Sequence, residues 1–172
     1  MGVVKGPDSI REQKLTKLVE QYQTSLRRMC YAILRDEELA KDAVQETFLK
    51  VYRTMDTFRN ECSEKTWLMR IAVNTCRDIR RSAWFRRIDG RISLENLPEP
   101  TVQLKDDHVE LTLAIMWLPQ KLKEVTLLYY YQDMTMREVA DALGISPSTV
   151  SKRLDRAHAK LRTLLEGRDL HG

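Results

Sequence analysis

Apolar positions recur every three to four residues along most of the chain, and no stretch alternates at the two-residue spacing of a half-buried strand. In the first helix, predicted from about Ser9 to Leu34, the residues Leu15, Leu18, Val19, Tyr22, Leu26, Met29 and Ile33 form one stripe. Asp36 then stands where a second helix needs an N-cap. That helix runs to about Met55 with Ala40, Val44, Thr47, Phe48, Val51 and Met55 inward. Its opposite face carries Asp42, Gln45, Glu46, Leu49 and Arg53. At 100° per residue Leu49 falls about 180° from the apolar stripe. It is either an anchor for another protein or a lone surface leucine.

Between Asp56 and Thr66 the pattern breaks into a polar loop, DTFRNECSEKT, with Phe58 as its one aromatic residue. A third helix is predicted from about Trp67 to Arg86, with Leu68, Ile71, Ala72, Thr75 and Ile79 inward and Arg70, Asn74, Arg77 and Arg81 on a separate stripe. Arg80, Arg86 and Arg87 add charge, Trp67, Trp84 and Phe85 add rings, and Asp78 is the one acid in that span. Arginine, asparagine and aromatic rings together neutralise phosphates and stack on unpaired bases, and the preceding loop has the character of a pocket for an extruded base. An arginine-rich solvated helix whose tryptophans cap the core is the competing reading. Periodicity then disappears over IDGRISLENLPEPTVQLKDD, residues 88–107, where Gly90, Pro98, Pro100 and an acidic bias mark a linker and a domain boundary.

A second helical unit begins near His108. Val109, Leu113 and Trp117 share a face, and Leu118-Pro119 restarts the chain into a helix carrying Leu122, Val125, Leu128 and Tyr129. The rings of Tyr129, Tyr130 and Tyr131 are expected beneath the next element. That element, TMREVADALGISPSTVSKRLDRAHAKLRTLL, organises the unit. Thr135 and Glu138 have capping-box spacing, Gly144 sits where a helix ends in the left-handed conformation, and Ser146-Pro147 pairs a cap with a first-turn proline. Val150, Leu154, Ala157, Leu161 and Leu164 fall on one side of the second helix; Ser148, Thr149, Lys152, Arg153 and Arg156 fall on the other. An ordinary helical hairpin has the same periodicity. The order of cap, glycine and cap-proline, with a basic hydroxyl-bearing outer face, points instead to a helix-turn-helix whose second helix enters the DNA major groove.

Composition narrows the function classes. The 172 residues are 42% hydrophobic and 31% charged, as in globular proteins, and the net charge of +4 is too small to identify a nucleic-acid partner without the uneven distribution above. No apolar run is long enough to span a bilayer, and MGVVKGPDSIREQ lacks the apolar core of a secretory signal, so a cytoplasmic protein is expected. Cys30, Cys62 and Cys76 form no CxxC pair, and His108, His158 and His171 are scattered, so neither a disulfide framework nor a metal site is expected. Cys30 and Cys76 fall in helical patterns as small apolar groups; Cys62 lies in the polar loop, where it could react. With no phosphate-cradling glycine loop and no Cys–His arrangement, an enzyme is not expected, nor is a cofactor.

Four stretches resemble bacterial sigma factors of the extracytoplasmic-function (ECF) group, the compact members of the sigma-70 family. DEELAKDAVQETFLKVYR is similar to the segment that docks on the clamp helices of the RNA polymerase β′ subunit. FRNECSEKTWLMRIAVNTCRDIRR resembles the segment that melts and reads the −10 element. LPQKLKEVTLLYYYQDMTMREVADALGIS and the following PSTVSKRLDRAHAKLRTLL resemble the domain that reads the −35 element. The match spans nearly the whole chain in order, which is more specific than a helix-turn-helix alone.

The resemblance implies an all-α chain of two small helical domains, 9–87 and 108–166, on an extended linker, 88–107, that threads toward the polymerase active centre. It implies polymerase contact through Asp42, Gln45, Glu46, Leu49 and Arg53. It implies −10 contact through Arg59, Asn60, Glu61, Cys62, Ser63, Trp67, Arg70, Asn74, Arg77 and Arg81, and −35 contact through Ser148, Thr149, Lys152, Arg153 and Arg156. The family loop often has glycine and a small residue where this chain has Asn60 and Cys62, so the −10 base preference does not carry over. Core polymerase (β′ clamp helices and β flap), promoter DNA and an anti-sigma protein are the implied partners, with no homo-oligomer required. A free-standing repressor or activator is the competing class; it would need a dimerisation element, and the sequence has no heptad tail to supply one.

Overall fold

A computed structural model describes residues 6–88 and 109–169 of the chain, all helical apart from short connections. Residues 89–107 of the predicted linker fall outside these residues, whereas Ile88, its first residue, ends α3; the side chains of residues 84–88, 109, 168 and 169 also fall outside. Seven α-helices are described: α1 Pro7–Leu34, α2 Glu37–Thr54, α3 Glu64–Ile88, α4 Val109–Met116, α5 Gln120–Thr126, α6 Met136–Leu143 and α7 Pro147–Asp169. A 3-10 turn at Met55–Thr57 closes α2, and α5 widens into a π-helical turn at Leu127–Tyr131.

Local chemistry sets these boundaries. Pro7 opens α1 at a position where no amide donor is needed. Two residues then join α1 to α2. Arg35 adopts the left-handed conformation (φ 57°, ψ 28°) with its N–H on Tyr31 O at 2.7 Å, and Asp36 Oδ1 accepts the Leu39 N–H at 2.9 Å. A left-handed non-glycine residue costs about 1–2 kcal/mol. The Arg35 guanidinium lies 4.2 Å from the centre of the Trp117 ring, a contact that offsets part of that cost and ties the corner to the second helical unit. Ser63 caps α3: its Oγ accepts the Thr66 N–H at 3.1 Å and bonds Thr66 Oγ1 at 2.9 Å. The third helix thus starts at Glu64, three residues before the position that the apolar spacing indicates.

The inner face of α2 is as predicted, with Ala40, Val44, Thr47, Phe48, Val51 and Met55 all buried. The buried hydroxyls of Thr47 and Thr75 donate to the carbonyls of Ala43 and Ile71, four residues back, and Thr75 Oγ1 also accepts from Lys50 Nζ on α2 at 3.2 Å. On α3 the inward stripe is Leu68, Met69, Ala72, Val73, Thr75 and Cys76, while Ile71 and Ile79 sit at its margin. Cys30 and Cys76 are fully buried. A hydrogen bond with Cys30 and burial push the Cys76 thiol far above its ordinary range, which makes it unreactive.

Three expectations for the second unit change. Trp117 turns outward and is 57% exposed under Arg35, while Ala114, Ile115, Met116 and Leu118 enter the core. Of the three tyrosines only Tyr129 packs against the core. Tyr130 and Tyr131 are exposed, lying in the π-helical turn on the side away from the Leu122, Val125, Leu128 and Tyr129 stripe; Tyr130 Oη bonds His158 Nε2 on α7 at 2.7 Å. Near the end of α7, Leu165 rather than Leu164 packs inward.

Candidate functional site

The helix-turn-helix is built by its caps. Thr135 Oγ1 accepts the Glu138 N–H at 3.2 Å while Glu138 Oε2 accepts the Thr135 N–H at 2.8 Å. Gly144 (φ 65°) lets its own N–H and that of Ile145 reach Ala140 O. No described atom lies within 4 Å of a Cβ built at Gly144, so backbone conformation alone selects glycine there. Ser146 Oγ accepts the Thr149 N–H at 3.1 Å and lies within 3.0 Å of both the Ser148 and Thr149 hydroxyls. Val150, Leu154, Ala157 and Leu161 bury one side of α7. The structure therefore brings the predicted −35 set onto one face: Ser148, Lys152 and Arg156 are exposed, and Thr149 and Arg153 half-buried beside them.

The predicted polymerase set lies on the outer surface of α2. Asp42, Gln45, Leu49 and Arg53 are exposed and Glu46 is half-buried. Leu49, 43% exposed, stands with Gln45 on the rim of an open groove of about 660 Å³ between α1 and α2, whose apolar floor includes Leu15, Val44 and Phe48. Asp42, Glu46 and Arg53 do not line that groove.

The predicted −10 set divides. Arg59, Asn60, Glu61 and Ser63 are exposed in the loop and Cys62 is half-buried. Asn60 holds a left-handed conformation (φ 56°) that asparagine tolerates. Trp67 stacks on Phe58 with ring centres 4.5 Å apart, giving the loop a rigid aromatic wall. On α3, Asn74 and Arg81 are exposed, but Arg70 and Arg77 are taken by the second unit. Arg70 donates from Nε and Nη2 to Asp141 O, at 3.2 and 2.9 Å. Arg77 forms a fork with Glu124, Nε to Oε1 at 3.0 Å and Nη2 to Oε2 at 2.7 Å. Glu124 is 1% exposed, Gln120 Nε2 donates to it at 2.9 Å, and its carboxylate raises the pKa of Arg77. Lys65 donates to Gln132 O, and the Gln132 side chain donates in turn to Ser25 O on α1 at 3.3 Å.

Sequence reasoning missed Glu124, Gln132 and Lys65. The available signal was an ionisable pair, Lys123-Glu124, inside the apolar run from Leu122 to Leu128. Lys123 is buried too. Burial first, then the charges of Arg35 and Arg80, push its ammonium down to about 8, against a smaller opposing effect of Glu124. Between about pH 8 and the unfolded-chain value near 10.4 the unfolded state binds more protons, so stability rises with pH. Chemical unfolding from pH 7.5 to 9.5 is expected to show that rise relative to Lys123→Met, which removes the group; parallel curves would refute it.

Among the described residues no group of His, Cys, Asp and Glu side chains could hold a metal ion, and no helix is long and apolar enough to cross a membrane. Two family models match the chain, Sigma-70 region 2 over residues 18–86 and Sigma-70, region 4 over residues 114–163. The chain is 31% identical over 163 residues to a probable RNA polymerase sigma factor, RfaY, of Xanthomonas campestris, covering 90% of this chain and 41% of that protein. It is 31% identical to the RNA polymerase sigma-E factor of Streptomyces avermitilis, covering 88% of this chain and 85% of that one. It is 29% identical to the ECF RNA polymerase sigma factor SigW of Bacillus subtilis, covering 89% and 88%. Its fold is similar to that of the sigma factor RpoE, solved in complex with the anti-sigma factor NepR from Bartonella quintana, with a TM-score of 0.77 and 21% identity over 90% of this chain and 98% of that one. The chain therefore belongs to the sigma-70 family of RNA polymerase sigma factors, within its ECF group.

Proposed function

We propose that the chain is a non-catalytic specificity subunit that binds core polymerase, reads the −10 and −35 elements and helps open the promoter. The observation that carries this reading is the exposed face of α7, where Ser148, Thr149, Lys152, Arg153 and Arg156 stand together above a buried apolar side. Phosphate contacts there fix register while base-edge contacts discriminate. The α2 groove with Leu49 on its rim suits an amphipathic helix of the polymerase clamp. Residues 9–87 act on the core and the −10 element, 108–166 on the −35 element and the β flap, and 88–107 tether them. Joining both to polymerase raises their effective concentration on DNA and fixes their spacing.

Opening proceeds by capture: a base held in the loop Arg59–Ser63, beside the Trp67–Phe58 stack, no longer re-stacks in the duplex. Arg70, Asn74, Arg77 and Arg81 then follow the adjoining strand. An anti-sigma protein is a further partner in this proposal, supported by the fold shared with a sigma factor solved in such a complex. The protein works in the cytoplasm, where its polymerase is. Run-off transcription on a genomic promoter library tests the whole: core polymerase should acquire new start points when this chain is added. Identical start points with and without it would refute the proposal.

A further inference from the structure

Lys50 leaves α2 on the side of α3. Its ammonium donates to Thr75 Oγ1 at 3.2 Å and lies 3.7 Å from Asp78 Oδ2. The other carboxylate oxygen, Asp78 Oδ1, lies 3.8 Å from Arg81 Nη2, one turn further along α3. One acid thus stands between two cations from different helices. Asn74, Asp78 and Arg81 are spaced by four and three residues, so they share a face of α3, and all three are exposed. Both gaps to the carboxylate are longer than a hydrogen bond. Exposed pairs of this kind add little to stability and exchange readily for another anion. An ammonium carries three donors, of which Thr75 takes one.

We propose that Lys50 is a further phosphate-contacting residue of the −10 strand track, supplied by α2, and that Asp78 is a positioning residue that sets Lys50 and Arg81 on either side of it. The inference rests on the reading of α3 as a nucleic-acid face. The charge of Asp78 turns phosphates away from the middle of the track and so steers them to the cations that flank it. When the strand arrives, each cation exchanges a loose carboxylate contact for a phosphate, and counterions released from the strand favour the exchange. Thr75 holds the Lys50 ammonium at the seam of α2 and α3 throughout.

Lys50→Met tests the contact, since it keeps an unbranched stem and removes the charge. The chain is assembled with core polymerase and titrated across a salt series onto a labelled duplex of mixed sequence with a preformed bubble, with core alone as background. Lys50→Met should weaken binding about threefold or more and lower the slope of log affinity against log salt by about 0.7, the value for one contact to a single strand. Its melting temperature should stay close to wild type, which a merely structural tie would not predict together with the changed slope. Lys50→Arg should keep the wild-type slope. In an Asp78→Asn background the loss caused by Lys50→Met should shrink to about half or less on a logarithmic scale, because the ammonium is no longer aimed. A wild-type slope in Lys50→Met would overturn the phosphate contact, and additive effects of the two substitutions would overturn the positioning role of Asp78. Arg81→Ala serves as the reference. A slope that falls for Arg81→Ala and not for Lys50→Met sinks this proposal and leaves the reading of α3 standing; a slope that falls for neither sinks both.

Discussion

Replacing Arg153 and Arg156 together with alanine is expected to abolish −35-dependent transcription while leaving capture by core polymerase intact. Neither side chain makes a hydrogen bond or ion pair that the described residues need for folding, and the buried side of α7, formed by Val150, Leu154, Ala157 and Leu161, is untouched. Alanine is also the best helix former, so the helix itself is not weakened. The loss falls on DNA. A base-edge contact contributes about 1–3 kcal/mol of discrimination, or roughly 10- to 100-fold per residue. A phosphate contact instead lowers affinity on all sequences and reduces the salt slope by about 1. Run-off yields on promoters with intact and scrambled −35 elements distinguish these two roles. A pull-down with core polymerase checks the division of labour: loss of polymerase binding in the same variant would count against it.

Leu49→Asp is expected to have the opposite signature. Leu49 is exposed on the rim of the α1–α2 groove, so the substitution leaves the core of the fold unaltered and the melting temperature close to wild type. An apolar anchor at the centre of a protein interface contributes about 2 kcal/mol or more, and the new carboxylate must be desolvated on docking. Affinity for core polymerase should fall about 30-fold or further, while binding of the full-length variant to −35 duplex DNA stays at the wild-type level. Undiminished polymerase capture would remove the assignment of this face.

Much of the architecture was legible because its causes are local. Asp36, Thr135 with Glu138, Gly144 and Ser146 each act within four residues of their own position, and each makes the hydrogen bond or adopts the backbone conformation that its identity implies. Helical periodicity separated the buried face of α2 from the face bearing Leu49, and that of α7 from its basic side, because a regular helix fixes side-chain directions without reference to the rest of the molecule. Ser63 escaped notice as a cap because it follows a loop with no apolar rhythm to mark where the helix begins.

The sequence by itself thus determined an all-helical chain, the caps that delimit its elements, the helix-turn-helix and the outer face of α2. The tertiary structure decided what no spacing encodes. Trp117 turns out toward Arg35, Tyr130 meets His158 on α7, and Arg77 meets a carboxylate 47 residues further along the chain. Periodicity tells which residues share a face, but the partner of a charged group is chosen by which surfaces come together and by how much water they exclude. Glu124 could be seen in sequence as an acid in an apolar run; that its counter-charge comes from Arg77 on α3 follows only from the meeting of α5 and α3.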